Sequence, residues 1–182
     1  MQYDSVACRG VITAEEMGKK LEKDFKVKDG QTIDIKQLAI DNFKPLKETH
    51  DFINSLINKY NIGLLTNVYH DVYDLVLKHG FIPNLAYRAV IQSCHLGIIK
   101  PEKEIFHHAQ KKAGVPHENI LFIDDYHINV KSAMELGWQA VHFDTYDPHK
   151  SIKEITRSTA RAVIISIDWT VSGEAFPVNM LL

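Results

Sequence analysis

The sequence predicts an α/β fold built on a parallel sheet with helices on both faces. Three observations carry this. Short apolar runs recur at Asn61–Thr66, Ile120–Ile123 and Ala162–Ile167. Amphipathic stretches with helical spacing separate them. Carboxylates or hydroxyls follow the runs directly, the place where open α/β sheets bind ligands.

The first 45 residues read as helices. Thr13-Ala-Glu-Glu16 has the capping-box pattern, and Met17, Leu21 and Phe25 follow as one apolar stripe. Lys28-Asp29-Gly30 breaks that helix. Ile35, Leu38, Ala39 and Asn42 predict a second one reaching Phe43, which Lys44-Pro45 ends because a residue before proline avoids the helical region. From Leu46 onward strands and helices alternate. A helix is marked by Ile53, Leu56, Ile57 and Tyr60, a strand spans Asn61–Thr66, and Val68, Val72, Leu75 and Val76 mark the next helix, ended by His79-Gly80. Tyr87–Ile91 is a strand, and Pro101 opens a helix running to Lys112. After the turn at Gly114-Val-Pro-His117, the strand Ile120–Ile123 runs into Asp124-Asp125. Val130, Ala133, Met134 and Gly137 carry a helix, Gln139–Phe143 is a strand, Pro148 to about Thr156 is a helix, and Ala162–Ile167 is the last strand. Trp138 and Phe143 are expected in the core.

Composition narrows the function. The chain has 182 residues with 21 Lys+Arg, 23 Asp+Glu and a formal charge of −2, which argues against electrostatic binding of nucleic acid or a membrane surface. No apolar run approaches the roughly 20 residues of a membrane helix. The opening residues have neither the basic region nor the apolar core of a secretory signal. Two cysteines, Cys8 and Cys94, make no disulfide framework, so a reducing, cytoplasmic setting is expected.

The strand-mouth rule singles out Thr66-Asn67, Ser93, Asp124-Asp125 and Asp168. Adjacent carboxylates repel unless a cation or hydrogen bonds offset the charge, and Mg2+ prefers oxygen ligands. Capping of the following helix is an equally good reading of Asp124 and Asp125. Thr66-Asn67 reads either as an anion pocket at a helix N-terminus or as a helix cap. Lys100 stands just before another helix start, where its ammonium serves a phosphate and a carboxylate or is simply solvated. Adjacent His107 and His108 diverge on a helix and read as surface residues. Cys94 reads as a packed thiol. Neither a Gly-rich phosphate loop nor a Gly-x-Ser-x-Gly motif is present.

The ordered set Leu64-Leu-Thr-Asn67, Ser93-x-x-x-Gly97-x-x-Lys100-Pro-Glu-x-x-Ile105-Phe106, Leu121-Phe-Ile-Asp-Asp125-x-x-x-Asn129 and Ala133-x-x-x-Gly137-Trp138 resembles the haloacid dehalogenase-like hydrolase superfamily. The resemblance covers about Tyr3 to Ile155, and it is nearest in kind to the sugar-phosphate and small-phosphomonoester phosphatases with a small helical cap, a cap that Gly10-Val-Ile-Thr-Ala-Glu-Glu16 also resembles. It implies a three-layer, Rossmann-like α/β fold with a partial helical cap (1–45), a core (46–157) and a tail (158–182). It also implies Mg2+-dependent hydrolysis of a small phosphorylated metabolite through an aspartyl-phosphate. By motif matching, Thr66 bonds the phosphoryl oxygens with help from the Asn67 backbone. Lys100 stabilises the nucleophile and the transferring group, and Asp124 and Asp125 hold Mg2+, Asp125 as the direct ligand.

The chain departs from the family at the nucleophile. The family's Asp-x-Asp-Gly-Thr strand precedes the cap and lies mid-sheet, between the strands carrying Thr66 and Asp124. Nothing before Thr66 matches it. Two explanations follow: a missing N-terminal part with an unrelated tail, or replacement by Ala162–Asp168, a cyclic rotation of the motif order. In the second case Asp168 takes the nucleophile position, with Thr170 at the acid/base and Ser172 at the motif's Thr. A shift by two instead puts Ser166 at the nucleophile and Asp168 at the acid/base. A non-catalytic binding protein is the alternative function. A 2-haloacid dehalogenase is a further one, which the Asp124-Asp125 pair disfavours.

Overall fold

The computed structural model describes residues 2–28, 30–43, 45, 47–157 and 160–166. Four helices come first: α1 (Gln2–Cys8), α2 (Ala14–Asp24), α3 (Ile35–Asn42) and α4 (Lys47–Leu56). Strand β1 (Asn61–Thr66), helix α5 (Val72–Lys78), strand β2 (Ala89–Gln92) and helices α6 (Ser93–Leu96) and α7 (Lys103–Ala113) follow. A 3-10 turn at His117–Asn119 leads into β3 (Ile120–Asp124), α8 (His127–Glu135), β4 (Gln139–His142), α9 (Pro148–Ile155) and β5 (Ala162–Ser166).

The capping box forms as the sequence predicts. Thr13 Oγ1 accepts from Glu16 N at 3.1 Å, and Glu16 Oε2 accepts from Thr13 N at 2.8 Å. Met17 is buried beneath α2, whereas Phe25 lies at the C-cap and is 41% exposed, outside the expected stripe. Gly18 permits the packing of α2 on the following segment: a Cβ there would stand 2.2 Å from the Ile33 carbonyl oxygen. The helix expected from Val68 begins only at Val72. Val68 and Tyr69 are buried, but as a loop at the mouth of β1, with Val68 N donating to Ser93 Oγ at 3.0 Å. Their apolar spacing thus reflects burial without helical backbone.

All four strand pairings are parallel, and the order is β2-β1-β5-β3-β4. The chain's closing described strand therefore occupies the middle of the sheet. Leu64 pairs with Ile165 and Leu65 with Ser166 on one side; Ile123 pairs with Ile165 on the other. Both backbone edges of β5 are satisfied, which a buried strand requires. Its side chains serve two cores, as a central parallel strand with both faces covered does. Val163 and Ile165 pack with Leu64, Leu121 and Ile123 on one face. Ile164 packs on the other, with Phe106, Phe122 and Trp138. Those three aromatics meet edge to face, at centroid distances of 5.3, 5.6 and 6.1 Å. Phe143 is buried as expected. Among the described residues, no helix is long and apolar enough to cross a membrane.

Truncating Ile164, deep in the central strand, is expected to lower the unfolding free energy by about 2–5 kcal/mol. Thr13→Ala is expected to cost about 1 kcal/mol through the lost helix cap. Urea titration followed by circular dichroism measures both.

Candidate functional site

The carboxyl ends of β1, β5 and β3 lie side by side, so the parallel topology alone gathers Thr66, Ser166 and Asp124 at one mouth of the sheet. Thr66 and Asp124 are both buried there. Lys100 enters from the loop ahead of α7, and its side chain is fully buried against that of Asp124. Its Nζ donates to Asp124 Oδ2 at 3.1 Å, to the Leu65 carbonyl oxygen at 3.1 Å and to Ser166 Oγ. One ammonium thus spans all three central strands.

Burying this pair removes two charges from water, which costs several kcal/mol per ion unless every polar atom is matched. The match is close. Asp124 also accepts from Tyr126 N at 2.7 Å and from Asn129 Nδ2 at 3.0 and 3.2 Å. Asn67 fixes the lysine from behind: its Oδ1 accepts from Lys100 N at 2.9 Å, and its Nδ2 donates to the Lys100 carbonyl at 3.2 Å. The Asn67 side chain therefore positions Lys100. Asp125 is half-buried beyond Asp124, and its carbonyl bonds the His142 ring at 2.8 Å. His142 in turn stacks on His127 at 3.6 Å.

The structure brings Thr66, Asn67, Lys100, Asp124 and Asp125 together; Asp168 lies outside the described residues. The carboxylates and hydroxyls at this mouth are oxygen donors, the kind a hard ion such as Mg2+ takes. Asp124 is already engaged by Lys100, Asn129 and Tyr126. The Lys100–Ser166 contact accords with the register that puts Ser166 at the nucleophile position. Sequence reasoning missed the bridging role of Ser93. Ser93 is completely buried and donates to the Cys8 carbonyl at 2.6 Å, tying the end of α1 to the core. Arg9 adds an ion pair to Glu102, whose carboxyl it holds below the usual carboxylate range. His107 is exposed and His108 half-buried, both without a place at the mouth.

The chain matches the family model of haloacid dehalogenase-like hydrolases over residues 7–137. Its structure is similar to a HAD-like family hydrolase from Porphyromonas gingivalis, 26% identical with a TM-score of 0.65, covering 85% of this chain and 78% of that one. It is also similar to a HAD family enzyme from Bacteroides thetaiotaomicron solved in complex with magnesium and inorganic phosphate. That match is 25% identical with a TM-score of 0.63, covering 76% of this chain and 73% of the other. Among curated proteins, mouse acyl-CoA dehydrogenase family member 10 is 30% identical over 95 residues, which is 51% of this chain and 9% of that protein. A drimenol cyclase from Aspergillus calidoustus is 25% identical over 143 residues, 76% of this chain and 27% of the cyclase. The chain thus spans only a small part of the length of both curated relatives.

Lys100→Met strands the Asp124 carboxylate in the interior and is expected to cost about 3–5 kcal/mol, whereas the double variant Lys100→Met/Asp124→Asn recovers much of that loss. A double-mutant cycle in chemical denaturation measures the difference.

Proposed function

The chain belongs to the haloacid dehalogenase-like hydrolase family, and from that premise we propose that it is a Mg2+-dependent phosphomonoester hydrolase acting on a small phosphorylated metabolite. The observation that carries this reading is the position of Lys100, a buried cation held at the strand mouth between Leu65, Ser166 and Asp124. A fixed ammonium there, with the Thr66 hydroxyl and the backbone N–H groups of the following loop, stabilises the charge that builds on a transferring phosphoryl group. Magnesium, held by Asp125 with Asp124 beside it, supplies further neutralisation of phosphoryl oxygens when bound. The resident complex of magnesium and phosphate in the Bacteroides relative supports this cofactor for the present chain. The near-neutral charge and small helical cap suit a compact metabolite, and a cytoplasmic setting is consistent with two cysteines that form no disulfide with each other.

In this reading the Asp168 carboxylate attacks phosphorus as the P–O ester bond breaks, the leaving oxygen takes a proton from solvent water and departs as an alcohol, and water then releases phosphate from the aspartyl-phosphate and regenerates the carboxylate. A second reading, a phosphate-binding protein without turnover, is favoured by the Lys100–Ser166 contact. If the lysine marks the nucleophile position, a serine hydroxyl stands where the attacking carboxylate belongs.

Phosphate release from p-nitrophenyl phosphate with and without Mg2+ separates the two. In the hydrolase, activity requires Mg2+, and Asp168→Asn lowers it by at least about a thousandfold. In the binding protein, the unmodified chain shows no release above buffer, and Ser166→Asp confers turnover.

A further inference from the structure

Past the ends of β1 and β2, the fold gathers three soft-metal ligands from two separate segments of the chain. His70 lies four residues past the end of β1, while Cys94 and His95 lie on α6, after β2. One ligand atom from each comes within 4.8 Å of the other two. The two imidazoles are neighbours, with ring centroids 5.5 Å apart and planes tilted by 41°. Among the described residues neither imidazole has a hydrogen-bond partner. Cys94 is buried, His70 half-buried and His95 exposed, so the cluster has an anchored thiol and one side open to solvent.

We propose that His70, Cys94 and His95 form a Zn2+-binding site, with the fourth position left to water or an external ligand. Two imidazoles and one thiolate are the nitrogen and sulfur donors that zinc prefers, unlike the oxygen donors at the phosphate site. With Zn–N near 2.0–2.1 Å and Zn–S near 2.3 Å, tetrahedral ligands stand about 3.3–3.6 Å apart, so side-chain rotations moving the atoms by about 1 Å close the site. On binding, the Cys94 S–H bond breaks, its proton passes to solvent, and the sulfur electron pair forms the bond to zinc. Burial pushes the Cys94 thiol up, with the Asp71 charge acting in the same direction against its backbone N–H groups, and that negative charge favours a cation beside the sulfur.

The surroundings hold the cluster at the seam between the helical segment and the core. Gly10, at φ +72°, packs directly on it: a Cβ there would stand 2.6 Å from His70 Nε2 and 2.3 Å from the Cys94 carbonyl oxygen. The neighbouring residues grip the same short helix, through Ser93 Oγ on the Cys8 carbonyl and Arg9 Nη1 on the Gly97 carbonyl at 3.0 Å. A bound ion therefore links the loop after β1 to α6 directly beneath the end of α1.

The test is titration of the chelator-stripped full chain with Co2+, followed by competition with Zn2+. The expected result is one equivalent bound, with a thiolate-to-cobalt charge-transfer band that Zn2+ abolishes. Cys94→Ser is expected to remove the band. His95→Ala, at an exposed position that leaves the core intact, is expected to weaken Co2+ binding by at least about tenfold. Cys8→Ser and Asp125→Asn are expected to retain the band, which separates this site from the other thiol and from the phosphate site. Circular dichroism verifies that each variant is folded. Absence of the band in the unmodified chain overturns the proposal, as does its survival in folded Cys94→Ser or unchanged affinity in His95→Ala.

Discussion

A buried ion pair organises this protein. Lys100 and Asp124 have fully buried side chains, and the lysine also reaches β1 through the Leu65 carbonyl and β5 through the Ser166 hydroxyl. Such a pair is weak evidence for stability in itself, because desolvation offsets most of its attraction. Its value is geometric. Asn67 clamps the lysine backbone, and Asn129 and Tyr126 N–H clamp the carboxylate, so the amine has one place to go. The mouth of the three central strands is thereby given an ammonium fixed in one position.

That arrangement requires a strand between β1 and β3, and the chain supplies it from its closing described segment. Parallel pairing of β5 to both neighbours satisfies backbone groups that would otherwise be buried without partners. The alternation of Val163, Ile164 and Ile165 then joins the two cores through one strand. The strands carrying Thr66 and Asp124 lie on either side of β5, the last of the five described strands along the chain. Contacts decide the architecture here; the order in which the chain visits them does not.

The parts of this structure governed by short-range chemistry were legible in the sequence. The Thr13–Glu16 capping box, the extent of β1 and the run of Asp124 off the end of β3 follow from local pattern. Val68 misled because apolar spacing reports burial, and a buried loop satisfies it as well as a helix does. Phe25 misled in the opposite way, carrying the period but sitting beyond the last helical turn. Within the site, the motif placed Asn67, Lys100 and Asp124 together but not the use of the Asn67 side chain as a backbone clamp. The encounter of His70 with Cys94 and His95 has no sequence period at all. It arises because β1 and β2 are adjacent and both end at the same mouth.

The charge balance at Lys100 makes Ser166 consequential. A carboxylate there would leave two acids around one ammonium, a surplus negative charge that a divalent ion would neutralise. With a hydroxyl, Lys100 and Asp124 cancel, and the pair has no electrostatic need of a cation. A hydroxyl also keeps the lysine's third hydrogen bond without fixing the amine to a second charge, leaving more of its positive field available to an incoming phosphate. On the second reading, in which Ser166 takes the nucleophile position, the hydroxyl that forgoes attack therefore strengthens that position as an anion site. Binding and turnover are separable in this fold, and the residue at the end of the central strand is where they part.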